Sequence, residues 1–168
     1  MDRFETERLV AERLHEGHLQ DLVALHLDPE VSRYLGGVRS AEATEAYLKV
    51  NIAHWDRHGY GLWVLRTGSG EFAGRAGIRH VVVEDAGEIE IAYTLKRTFW
   101  GQGLASEIAG ALTTIARSQL DLPSVVGLVA LANGASRRVL EKTGFSLERH
   151  ARFHREEVAL YRSPRVLP

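Results

Sequence analysis

The chain has 168 residues, 45% of them hydrophobic and 26% charged, with a formal net charge of −1 at pH 7. That length buries a real core in one domain, here taken as residues 1–168, and the balanced charge gives no reason to expect nucleic acid or a membrane surface as partner. There is no cysteine, which excludes disulfides, thiolate metal sites and a cysteinyl acyl-enzyme, and fits a cytoplasmic protein.

The polar start from Met1 to Arg8 is not a signal peptide. Thr6–Leu14 alternates as a first strand, and Gly17–Leu27 follows as a helix with Leu19, Leu22, Val23, Leu25 and His26 spaced for one face. Asp28-Pro29 breaks it, and Val31–Gly37 reads as a short helical turn. Ser40 with Glu42 and Glu45 opens a helix expected to reach Arg57, carrying Tyr47, Leu48, Ile52 and Trp55. Leu62–Thr67 and Phe72–His80 pair as a hairpin over Gly-Ser-Gly. Glu88–Leu95 alternates strictly, with Ile89, Ile91, Tyr93 and Leu95 on one face and Glu88, Glu90, Ala92 and Thr94 on the other.

From Gly103 a helix runs to about Leu120, with Leu104, Ile108, Leu112 and Ile115 on its apolar stripe, until Asp121-Leu122-Pro123 stops it. Val125–Leu131 is uniformly apolar and reads as a strand covered on both faces. Strand, helix and strand in this order favour parallel pairing through a right-handed crossover. A last helix, Ala135–Thr143, ends on Gly144, and Phe145–Arg149 and Glu157–Arg162 finish as strands. His15 and His18, and His54 and His58, sit at helical spacing, but no HExxH or comparable ligand pattern exists. No metal site is expected, and these histidines read as solvated helix faces.

Chemistry concentrates in Trp100-Gly101-Gln102-Gly103-Leu104-Ala105, a glycine turn opening a helix. Free N–H groups and the helix dipole favour anions there, although such a turn can equally be a plain connection. A P-loop is excluded, because no GxxxxGK[ST] occurs. The dinucleotide fingerprint fails too: Ser106 stands where Gly or Ala is needed, and five residues separate strand from turn.

The ordered set TERLVAERL, DPEVSRYLGG, GEIEIAY, WGQGLASE, NGASRRVLEKTGF and ALYR, from about Glu5 to Arg162, resembles the GCN5-related N-acetyltransferases, most closely their RimJ/RimL-like branch. The family's acyl-CoA motif is Gln/Arg-x-x-Gly-x-Gly/Ala; Gly103-Leu104-Ala105 supplies its second half, and Trp100 stands at the Gln/Arg place. The resemblance implies an α/β fold: one domain with a central, mostly antiparallel twisted sheet, helices on both faces, and a parallel, splayed pair formed by Glu88–Leu95 and Val125–Leu131, the fourth and fifth strands.

It further implies that Gln102, Gly103, Leu104 and Ala105 wrap the pyrophosphate of coenzyme A, and that the pantetheine arm lies along Ile91, Ala92, Tyr93 and Leu95. The main-chain N–H of Ile91 or Ala92 then meets the oxyanion, and Asn133 the pantetheine amides. Arg137, Arg138 and Lys142 are candidates for the 3′-phosphate end, although Arg137 and Glu141 equally suit an i,i+4 pair. Glu90 matches the acidic position that serves as general base, directly or through water; the competing reading is a cross-strand ion pair. Glu88, near the strand start, is the weaker candidate and reads as solvated. The family's usual acid, a tyrosine, is replaced by Leu140, and Ser136 is the substitute that could hydrogen-bond the sulfur; Ser136 and Asn133 also suit local helix capping. Tyr34, Trp55, Trp63 and Tyr93 are candidate walls for the acceptor, or core.

The expected activity is acetyl transfer from acetyl-CoA by direct attack of a primary amine, foremost a protein or peptide N-terminal α-amine. A small-molecule amine such as a polyamine or aminoglycoside is the alternative acceptor, and a catalytically silent acyl-CoA-binding module the alternative class. Either a monomer or a homodimer is compatible with the sequence.

Overall fold

In the computed structural model, which describes residues 1–164, eight strands form one sheet in the order β1-β2-β3-β4-β5-β6-β8-β7. Where the sequence predicts one strand over Thr6–Leu14, the chain makes a hairpin of β1 (Arg3–Glu5) and β2 (Leu9–Arg13). The cause is local: the Thr6 hydroxyl accepts from the Leu9 N–H at 3.1 Å and donates to Glu107 at 2.5 Å, so the backbone turns there.

The strands β3 (Leu62–Thr67), β4 (Phe72–Val83) and β5 (Ala86–Leu95) form an antiparallel meander. β4 outruns its predicted end at His80 because Glu84 and Asp85 both take positive φ (48° and 68°), the sign pattern of a type I′ hairpin turn. His154 and Arg155 do the same (49° and 67°) between β7 (Ser146–Phe153) and β8 (Glu156–Arg162). These turns use neither Asn nor Gly, so the sequence carries no local sign of them.

The helices are α1 (Leu19–Leu27), the short α2 (Pro29–Ser32), α3 (Ala41–His58), α4 (Leu104–Ser118) and α5 (Gly134–Lys142). They lie on both faces. On one face Arg75 of β4 meets His26 of α1 and Tyr47 of α3. On the other, Tyr93, paired with Ala76 rather than Arg75, reaches Ser136 of α5. The core between sheet and α3 is aromatic: Trp63 packs edge-on against Trp55 at 5.0 Å and Phe4 at 5.2 Å. The Trp55 indole donates to the Leu62 carbonyl at 2.7 Å, which satisfies the one polar atom it buries.

One strand pair departs from antiparallel order. β5 runs parallel to β6 (Val126–Ala130), and their ladder consists of a single pairing, Glu90 with Val126. On the near side of that point Arg162 of β8 reaches Glu88 at 2.7 Å and ties the strands together. Beyond it β5 and β6 part, and Ile91–Leu95 keeps an edge with no partner from β6. Among the described residues, no helix is long and apolar enough to cross a membrane.

Candidate active site

A cavity of about 840 Å³ occupies the opening between β5 and β6. Arg39, Tyr47, Asn51, Arg75, Arg79 and Glu90 line it from the α1/α3 face, and Tyr93, Asn133, Ser136 and Leu140 from the α5 side. Strand alternation explains the division. Arg75, Gly77 and Arg79 on β4 sit opposite Thr94, Ala92 and Glu90 on β5, all on the face turned toward α1 and α3.

Glu90 is buried, 5% exposed, and its carboxylate accepts a hydrogen bond from Arg79 Nη2 at 2.7 Å. Burial alone would discourage the charge on Arg79, but the adjacent Glu90 carboxylate outweighs it and raises the guanidinium above its ordinary value. Of the two readings open in the sequence, the cross-strand ion pair is therefore present, and the same carboxylate also faces the cavity. Glu88 is not solvated as its position suggests: it is spent on Arg162 and does not line the cavity.

On the opposite side, the Tyr93 hydroxyl lies 3.0 Å from Ser136 Oγ. Burial pushes the Tyr93 phenol up to about 12, with the Ser136 contact opposing it, so this hydroxyl keeps its proton across the neutral range. Leu140 is buried, 1% exposed, and is seated on Gly127, where a Cβ would fall 2.5 Å from Leu140 Cδ1. A leucine is thus accommodated by a glycine on β6, and the hydroxyls of Tyr93 and Ser136 line the same cavity. Asn133 caps α5, its Oδ1 accepting from Ser136 N at 3.2 Å, and also lines the cavity.

Beyond the end of β5, Gly101 and Gly103 take positive φ (73° and 77°), and no side chain caps the N-terminus of α4. The loop is braced from outside: Arg8 Nη1 donates to the Gln102 carbonyl at 2.7 Å, and Glu107 holds Arg8 at 2.7 Å. The Trp100 indole clips the loop to β5 by donating to the Leu95 carbonyl at 2.9 Å. Braced and uncapped, the first-turn N–H groups are available to an anion. Gln102, Gly103, Leu104 and Ala105 do not themselves line the cavity, and neither does Leu95; Ile91, Ala92 and Tyr93 do.

Other expected site residues are placed differently. Trp55 and Trp63 are core, 2% and 1% exposed, and neither lines the cavity, whereas Tyr34 does. Two indoles stacked edge-on between helix and sheet bury more apolar surface than they would on a wall. Arg138 is exposed and outside the cavity. Arg137 is not paired directly with Glu141; the Tyr161 hydroxyl stands between them, accepting from Arg137 Nε at 3.0 Å and donating to Glu141 at 2.9 Å. The histidines are less solvated than their spacing suggests. His18 is buried beside Glu12. His54 and His58 gather with His80, one ring nitrogen from each lying within 4.8 Å of the others. Both His54 nitrogens are engaged, Nδ1 donating to the Tyr60 carbonyl and Nε2 accepting from the His80 N–H.

Sequence reasoning overlooked Arg39, Tyr47, Arg75 and Arg79. A sign was available: in Phe72–Ile78 and the Arg79-His80 step that follows, two arginines interrupt an apolar and glycine strand on the same face as Glu90.

A family model described as an acetyltransferase (GNAT) domain matches residues 8–146. An uncharacterized protein of Bacillus subtilis, YkkB, is 30% identical over 135 residues, covering 80% of this chain and 78% of that protein. An acetyltransferase structure from Agrobacterium tumefaciens superposes with a TM-score of 0.86 at 28% identity, covering 98% of this chain and 95% of the other. RimL, a ribosomal L7/L12 α-N-protein acetyltransferase solved with coenzyme A, superposes with a TM-score of 0.77 at 25% identity and 94% coverage of each chain.

Proposed function

The chain belongs to the GNAT acetyltransferase family, and on that premise we propose that it transfers an acetyl group from acetyl-CoA to the α-amine of a protein or peptide N-terminus. The observation that carries the reading is the parted strand pair: one β5–β6 pairing at Glu90 and Val126, then an open β5 edge leading to an uncapped α4. Such an edge suits an extended pantetheine arm added as a strand. The glycine turn Gly101–Gly103 and the N–H groups of Gln102–Ala105 suit a pyrophosphate.

When bound, acetyl-CoA supplies a thioester whose carbonyl carbon the amine nitrogen attacks as the C–S bond breaks. We assign stabilisation of the carbonyl oxygen to the main-chain N–H of Ile91 or Ala92. Ser136, hydrogen-bonded to a Tyr93 hydroxyl that stays protonated, is assigned as donor to the sulfur. Glu90 is assigned to the amine proton, received directly or through water.

Of the amines a protein offers, the one that needs least help to lose its proton is favoured. At pH 7 an α-amine is about 10–15% neutral and a lysine about 0.04%, a difference worth about 3 kcal/mol of barrier. The similarity to RimL, named for acetylating an α-amine, supports the same choice. A cytoplasmic setting accompanies it. The test is to incubate the protein with acetyl-CoA and peptides bearing either a free α-amine or only a lysine amine, and to follow free coenzyme A. Release with the α-amine peptides is expected; release with lysine peptides or small amines alone would overturn the acceptor.

A further inference from the structure

The cavity is lined by three guanidinium groups, Arg39, Arg75 and Arg79, and by two carboxylates, Glu90 and Glu156. Glu90 is paired with Arg79 through one carboxylate oxygen. Among the described residues, no carboxylate pairs with Arg39 or Arg75. Arg75 is 4% exposed, and its Nε donates to His26 Nε2 at 3.1 Å. His26 is no counter-charge: burial, then the fields of Arg75 and Arg39, lower it to about 3, and as a neutral ring it accepts from Arg75 while Nδ1 donates to Thr44 Oγ1.

Tyr47 stands between the two free guanidiniums, with Arg39 Cζ 4.7 Å and Arg75 Cζ 5.0 Å from its ring centroid. Among the described residues, the buried side-chain polar atoms without a partner are Arg39 Nη1, Tyr47 Oη and Arg79 Nε. All three belong to residues lining this one cavity. Buried polar atoms without partners are rare and costly in native proteins, and three of them on residues that line one cavity suit a ligand that brings hydrogen-bond acceptors there.

Resting on the transferase reading above, we propose that the amine acceptor carries a carboxylate, held by Arg39, Arg75 and Tyr47, while its amine lies toward Glu90 and the β5–β6 opening. The excess positive charge rejects polycationic amines. The carboxylate has two chemical sources: an acidic side chain in the first residues of a peptide, or the α-carboxylate of a free amino acid.

The test measures coenzyme A release with isosteric pairs. One arm compares C-terminally amidated Ser-Glu-Ala-Ala with the amidated peptides Ser-Gln-Ala-Ala and Ser-Lys-Ala-Ala; the other compares free alanine with alaninamide. The carboxylate member of at least one arm is expected to have kcat/KM at least about tenfold higher, the scale of one hydrogen bond to a charged group. The arm that responds identifies the source. Arg39→Gln, at a partly buried position, is expected to shrink that ratio toward one, with a melting curve showing that the variant is folded. Equal kcat/KM within both arms, or a preference for lysine, would overturn the inference. Should no amine be turned over, the transferase reading fails instead, and calorimetry with N-acetylated, C-terminally amidated Ser-Glu-Ala-Ala and Ser-Gln-Ala-Ala then decides this one. Tighter binding of the glutamate peptide upholds it, and equal binding overturns it.

Discussion

Replacing Gly103 by alanine separates a backbone cost from a loss of donor binding. Gly103 has φ 77° and ψ 4° at the N-cap of α4. An L-residue held in that region costs about 1–2 kcal/mol. The added Cβ meets only Arg8 Nη2, at 3.6 Å, an ordinary contact, so sterics inside the protein add nothing further. At about 2–4 °C per kcal/mol for a chain of this size, the melting temperature should fall by about 2–8 °C. Gly59 is a matched control: φ 74° and ψ 6° at the C-terminus of α3, with nothing within 4 Å of the place an added Cβ would take. Gly59→Ala should lose the same stability. Only Gly103→Ala should also weaken coenzyme A, because the methyl group keeps phosphate oxygens from the first-turn N–H groups. One hydrogen bond to a charged group is worth about 1.5–3 kcal/mol, which corresponds to roughly a tenfold to hundredfold rise in Kd. Calorimetric titration of coenzyme A into the three proteins, with melting curves alongside, gives both quantities. If Gly103→Ala melts lower like Gly59→Ala yet binds coenzyme A as the unaltered chain does, the pyrophosphate does not sit at α4.

Three further outcomes follow from the same geometry. Tyr93→Phe should lower kcat by about tenfold or more while leaving coenzyme A affinity in place, and, with the phenol at about 12, Tyr93 should contribute no limb to a pH–rate profile between about pH 6 and 10; an alkaline limb in the unaltered protein that Tyr93→Phe abolishes would contradict this. Glu90→Gln strips the counter-charge from a buried guanidinium, and should cost about 3 kcal/mol, since the amide still accepts a hydrogen bond; denaturant titration of Glu90→Gln, Arg79→Gln and the double variant should show the double losing less than the sum. His26, lowered to about 3 by burial and the neighbouring arginines, is neutral when folded but protonates near 6.5 once unfolded. The unfolded chain therefore binds the extra proton, and stability should fall as pH drops from about 6.5 toward 3. His26→Gln should flatten part of that slope in denaturation midpoints; an unchanged slope would place the acid sensitivity elsewhere.

Much of the architecture is readable from residue patterns. The alternation in Glu88–Leu95, the apolar run at Val125–Leu131 and the capped helices at Ser40 and Asn133 all stand where periodicity places them. The hairpins at Glu84-Asp85 and His154-Arg155 are not readable, because left-handed backbone at acidic and basic residues follows strand twist and, at Glu84, contacts from Arg149 and the Arg152 N–H, which lie far along the chain. The candidate site divides in the same way. Glu90, Ser136, Asn133 and Tyr93 stand on the cavity wall, but the pairings of Glu90 with Arg79 and of Ser136 with Tyr93 come from register and packing. Trp55 and Trp63 show the converse: aromatic spacing alone cannot distinguish a wall from a core, and edge-on stacking under α3 assigns them to the core.

The central claim is acetyl transfer from a carrier held in the β5–β6 opening. Its most direct test is a mass-spectrometric product analysis after incubating the full chain with acetyl-CoA and a peptide library bearing free α-amines. One acetyl group on the α-amine, with one free coenzyme A for each transfer, is the predicted result. Bound coenzyme A with no acetylated product from any amine would contradict it.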